Sequence, residues 1–150
     1  MRDAGPGGRI YEVAVQRSKQ RANDPDQENA LRHAFWQALL TYVYDDIEAR
    51  AIGDAHEKGS RDYLDSMVDQ YNNELARYLA RIAKELGLEW NDVERLILMA
   101  FETGLLVVDR KTDVIHEILR RRAALEEAVK ALIDEYLRTA FPLRACLQRP

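Results

Sequence analysis

The sequence predicts an all-α, single-domain bundle of about six helices, with at most a short extended segment near residues 105–109. Three observations predict it. The chain is rich in Ala, Leu, Glu and Arg, all good helix formers, and carries seven glycines and four prolines in 150 residues. Apolar residues recur at helical spacing between breaks made of Gly, Pro, Asn and Asp. One stretch alone, "LLVVDRKTD", has strand character, being β-branched at Val107 and Val108 and followed by turn residues. The length suits one domain: a flexible leader over 1–8, a helical domain over 9–141 and a tail over 142–150.

The first helix is "RIYEVAVQRSKQRA", of modest amphipathicity. "NDPDQEN" then interrupts, with Asp24 placed as N-cap and Pro25 at the first helical position, where a missing N–H costs nothing. The second helix runs from there to about Tyr44. Asp45 and Asp46 can cap a third, "IEARAIGDAHEKG", ending near Gly59. Ser60 opens a long fourth helix with Asp62 and Asp65 in its first turns, ending at Gly87. "EWNDVERLILMAFETG" forms a fifth, capped by Asn91 or Asp92 and closed by Gly104. From Asp113 a long sixth helix runs to Pro142.

Charge and composition remove several function classes. The net charge is -4, so no global positive field draws in nucleic-acid backbones. Residues 1–75 carry nine Lys and Arg against fourteen Asp and Glu, while the second half is nearly balanced. The single cysteine, Cys146, rules out an intramolecular disulfide and a cysteine-rich zinc site. No apolar run approaches the ~18 residues of a membrane span, and the N-terminus lacks a signal peptide's apolar segment. A cytoplasmic location, or export by a route that needs no signal, is expected. No glycine-rich phosphate loop and no Gly-x-Ser-x-Gly elbow occurs.

Three places can carry chemistry. On the fourth helix Leu64, Val68, Tyr71, Leu75, Leu79 and Ile82 share the core side, and Ser66, Asp69, Asn73 and Arg77 form a polar stripe opposite, which reads most simply as a solvated face. The second helix is apolar nearly all round and therefore central. Asn29, His33, Trp36 and Leu40 lie along one side of it, so His33 sits beside an indole in reduced solvent. There it is either a neutral base or metal ligand, or a structural histidine bonded to a carboxyl or carbonyl group. His56 and Glu57 close the third helix; neighbours on a helix point about 100° apart, so the two do not chelate one ion together. His116 reads as a surface or core-edge residue, and the run Arg120, Arg121, Arg122 as a solvated face with i, i+4 ion pairs.

"NALRHAFWQALL", "AHE" and "DQYNNELAR", in this order and at these separations, resemble an uncharacterised bacterial domain family with Asn-Ala-x-Arg-His-Ala-x-Trp, Ala-His-Glu and Asp-x-x-Asn-Asn-x-x-Gly-Arg blocks, often followed by a Gly-x-Leu-Val segment. Residues 24–110 carry the likeness. Asn29, Arg32, His33 and Trp36 match the first block, His56 and Glu57 the second, and Asp69, Asn72, Asn73 and Arg77 the third. "TGLLVVD" looks like the last, and Ala76 stands where glycine is usual. The family is similar in setting to effector domains of exported polymorphic toxins.

The resemblance implies one shared site. In it His33, His56, Glu57 and Asp69 are the catalytic candidates, and Arg32, Trp36, Asn72, Asn73 and Arg77 bind substrate. His33, His56 and Asp69 are the candidate ligands of a divalent metal. A neutral histidine acting as base, a carboxylate orienting it and an arginine facing negative charge suit hydrolysis of an ester, phosphoester or amide. The resemblance also implies an immunity-type partner protein. Two other readings compete: a helical interaction module with a buried polar network, its last helix making a homo-oligomer, and a binder of small anions without turnover.

Overall fold

The computed structural model describes residues 6–57, 63–110 and 114–141. They form seven α-helices and no strand: α1 (Pro6–Arg21), α2 (Pro25–Val43), α3 (Asp46–Glu57), α4 (Tyr63–Glu85), α5 (Trp90–Glu102), α6 (Val114–Ala123) and α7 (Leu125–Ala140). The all-α, single-domain expectation holds.

Local chemistry sets most boundaries. Pro6 stands at the first position of α1, and residues 1–5 lie outside the described residues. Asp24 caps α2 by accepting the Gln27 N–H at 2.9 Å, with Pro25 behind it. Asp45 does the same for α3 through the Glu48 N–H at 2.7 Å. The expected turn around Gly59, Ser60 and Asp62 and the tail from Pro142 lie outside the described residues.

Gly87 and Gly104 both adopt φ 78°, the left-handed conformation glycine takes without strain. Each ends its helix with the same pair of bonds. Gly87 N–H donates to Lys84 O and Leu88 N–H to Ala83 O; Gly104 N–H donates to Phe101 O and Leu105 N–H to Ala100 O. The expected cap of α5, Asn91 or Asp92, is corrected to a position earlier in the chain: the N-cap is Glu89, whose N–H donates to Asp92 Oδ2 at 3.0 Å.

The expected sixth helix is two. Ala124, at φ −112° and ψ 16°, separates α6 from α7 with no glycine or proline to mark it. The break lets α6 pack on α4 while α7 reaches both α4 and α5, burying Leu125, Val129, Leu132, Ile133 and Tyr136. Burial of a large apolar side chain contributes about 1.5–3 kcal/mol, which outweighs one interrupted turn.

α2 is central: it packs on α1, α3, α4 and α5, and Leu31, Ala34, Phe35, Ala38 and Leu40 are buried. Val43, at its end, is exposed. α4 is covered by α2, α3, α5, α6 and α7. This overturns the solvated-stripe expectation. Val68, Tyr71, Leu75 and Leu79 are buried as expected, but Asp69, Asn73 and Arg77 are buried as well. Among the described residues no helix is long and apolar enough to cross a membrane.

Candidate functional site

The seam between α2 and α4 collects the polar residues. From α2, Asn29, His33 and Gln37 stand four apart and so share one face. From α4, Asp69, Asn73 and Arg77 repeat the spacing opposite them. The pairs meet in register: Asn29 Nδ2 donates to Asp69 Oδ1 at 2.9 Å, His33 Nδ1 lies 3.3 Å from Asn73 Oδ1, and Arg77 donates to Gln37 Oε1 at 2.7 Å. His33 Nε2 lies 3.4 Å from Asp69 Oδ2. Arg32 donates to Asn29 Oδ1, bracing the first pair from outside.

Asp69 is also held by Arg110, a residue that the sequence reading missed. Its guanidinium donates to Asp69 Oδ1 at 2.7 Å and to Asp65 Oδ1 at 2.8 Å. The segment carrying Arg110 is pinned by Asn72, whose amide donates to Val107 O and accepts from Val107 N–H, both at 2.9 Å. A side-chain amide thus takes both backbone hydrogen bonds of Val107. Asn72, expected to bind substrate, has its amide occupied in this clamp.

His33 is 3% exposed. Burial pushes its imidazole down to about 4; the charge of Asp69 works against this, and Arg32 and His56 add to the lowering. Desolvation outweighs the attraction of Asp69, so the ring is neutral at pH 7 with a single N–H. With that proton on Nε2, Asp69 Oδ2 accepts it and Nδ1 is the basic nitrogen. The Asn73 amide beside Nδ1 can present either its oxygen or, after a half-turn, its NH2 group.

His56 comes from α3 and is exposed. Its ring centroid lies 5.7 Å from that of His33 and 5.0 Å from that of Trp36, both edge to face. Tyr11 of α1 closes the aromatic group, 5.2 Å from Trp36. Trp36 is buried, and its indole N–H has no partner among the described residues. Tyr11, Glu12, Val15, Gln16, Trp36 and His56 line a cleft of about 800 Å³. The Glu57 side chain lies outside the described residues. Among these, no three His, Cys, Asp or Glu side chains are arranged to hold a metal ion; of the candidate ligands, Asp69 is taken up by Asn29, Arg110 and His33.

A second cleft, of about 410 Å³, lies where α3 and α4 meet α6, lined by Arg50, Asp54, Gln70, Asn73, Arg77 and Arg122, with Glu74 beside them. Asn73 belongs to both the buried pair and this cleft. Gly53 lets α3 lie against α2 here: a Cβ at that position would stand 2.9 Å from Gln37 Nε2. Gln37, like Arg110, was missed, although its place four residues after His33 put it on the same face. His116 is exposed. In the arginine run, Arg120 and Arg121 pair with Glu117 within α6, whereas Arg122 reaches across to Glu74 at 3.0 Å.

No curated protein and no solved structure matches the chain at a significant level. A protein-family comparison matches residues 9–103 to a domain of unknown function, DUF6973. That span takes in most of α1, all of α2 through α5 and every candidate residue named in the seam except Arg110. The chain belongs to the DUF6973 family of domains of unknown function.

Proposed function

We propose that the α2–α4 seam is the centre of a hydrolase acting on an ester, phosphoester or amide, in the effector setting that the sequence resembles. The observation that supports this best is the neutral His33 held between Asp69 and Asn73, with one ring nitrogen turned toward a residue that lines a cleft. Asp69, fixed by Asn29 and Arg110, accepts the Nε2 proton and selects the tautomer. Nδ1 then takes a proton from water entering beside Asn73. A base titrating near 4 is weak at neutral pH, but negative charge arriving in the adjoining cleft favours its protonated form and raises it toward working pH. Arg77 faces that charge. The proton taken up by Nδ1 leaves by the same cleft, to the leaving group or to water beside Asn73.

One observation favours a second reading. His33 is almost fully buried and Asp69 has hydrogen-bond partners on both oxygens, as in a network that specifies packing without chemistry. Screening the wild type against ester, phosphoester and amide substrates, beside His33→Ala and Asp69→Ala, separates the two. A base of this kind contributes about 10²–10⁴-fold, so both variants are expected to lose that much. Activity unchanged in both removes the seam from catalysis. No activity on any panel substrate, with both variants unstable, leaves the network.

A further inference from the structure

The second cleft contains more positive charge than the seam reading uses. Arg50, Arg77 and Arg122 stand against two carboxylates, Asp54 and Glu74, and Asp46, beside Arg77, is shared with Arg81 at 3.2 Å; one positive charge is therefore in excess on a chain whose net charge is -4. Arg122 is engaged by Glu74 at 3.0 Å. Arg77, 7% exposed, is anchored by Gln37 and lies 3.7 Å from Asp46. Arg50 makes no hydrogen bond or ion pair among the described residues. Burial pushes the Arg77 guanidinium down from its ordinary value, and the like charge of Arg50 pushes it further. Two guanidiniums that share a cleft and repel each other gain from an anion placed between them.

We infer that this cleft binds a singly charged phosphodiester, with Arg50 and Arg77 as its guanidinium clamp and Asn73 at the border with His33. The charge balance favours a monoanion over the doubly charged phosphate monoester. A carboxylate matches the fork equally well, but it is not a linkage that water cleaves; a phosphodiester carries its charge on the scissile group itself. The volume of about 410 Å³ suits a small molecule. The acidic chain disfavours a long polyanion. The inference rests on the hydrolase reading for its choice of phosphodiester, and its test reads binding and turnover apart.

The probe is bis(4-nitrophenyl) phosphate, titrated calorimetrically into the wild type and into Arg50→Gln, a surface change whose fold is checked by circular dichroism. Saturable binding is expected, weakened about tenfold or more in Arg50→Gln, as loss of a charge-assisted contact requires, and less in Arg122→Gln. No saturable binding to the wild type, or equal affinity in Arg50→Gln, overturns the inference. Release of 4-nitrophenolate is followed in the same samples. Binding that depends on Arg50 without any release supports the cleft and removes phosphodiester cleavage from the hydrolase reading. His33-dependent release from uncharged 4-nitrophenyl acetate, with no binding of the diester, keeps the hydrolase and overturns the cleft.

Discussion

The α2–α4 seam and the α6–α7 arm both pair polar and charged residues, to opposite physical effect. In the seam, partners stand about forty positions apart in sequence, are buried except for the half-buried Asn29, and join different helices: Asn29 with Asp69, His33 with Asn73, Gln37 with Arg77. On the arm, Lys130 pairs with Glu126 and Arg138 with Glu135 along one helix surface, in solvent. The arm's charges keep a helix soluble, and their loss disturbs little. Those of the seam were brought out of water, so each depends on its partner.

The largest expected effect follows from removing the seam's hub. Asp69→Ala takes a shared partner from Arg110, Asn29 and His33 at once, and is expected to cost about 3–5 kcal/mol in denaturant unfolding; a cost no larger than an arm substitution would erase the contrast. Next comes pH. His33 binds its proton less readily folded, near 4, than unfolded, near 6.5, so the unfolded state takes up more protons between those values. Stability from this group is full above 6.5 and lost as pH falls through 4, a swing of about 3 kcal/mol. His33→Gln, which has no titrating ring, is expected to flatten this part of the stability profile.

A smaller effect sharpens the comparison from the arm's side. Tyr136 is the arm's exception, donating to Asp92 Oδ1 at 2.6 Å in the core. Tyr136→Phe is expected to cost about 1–2 kcal/mol, between the two extremes. Lys130→Ala, on the exposed face, is expected to leave the denaturation midpoint unchanged within error. A large shift there would mean that the arm's ion pairs matter more than their exposure allows.

What the sequence made legible divides along the same line. The Asp24 cap, Pro25 and the closures at Gly87 and Gly104 are local chemistry, readable within a few residues. The central place of α2 followed from its apolar surround. The burial of Asp69, Asn73 and Arg77 did not follow, because the face of α4 opposite its apolar stripe is polar in pattern and is covered only once α2 arrives. Arg110 was hidden for a related reason: its partner lies 41 positions away, in a segment whose course is set by the Asn72 clamp. The break at Ala124 has no local mark and answers to the packing of α7 on α5.

The account stands on a buried, neutral His33 oriented by Asp69. Its ring can be followed directly by NMR, titrating the imidazole carbon and nitrogen shifts of the folded protein with pH. The structure predicts a midpoint near 4, with Nε2 carrying the proton throughout the neutral range. A midpoint at or above 6.5, or a proton resting on Nδ1, would contradict it.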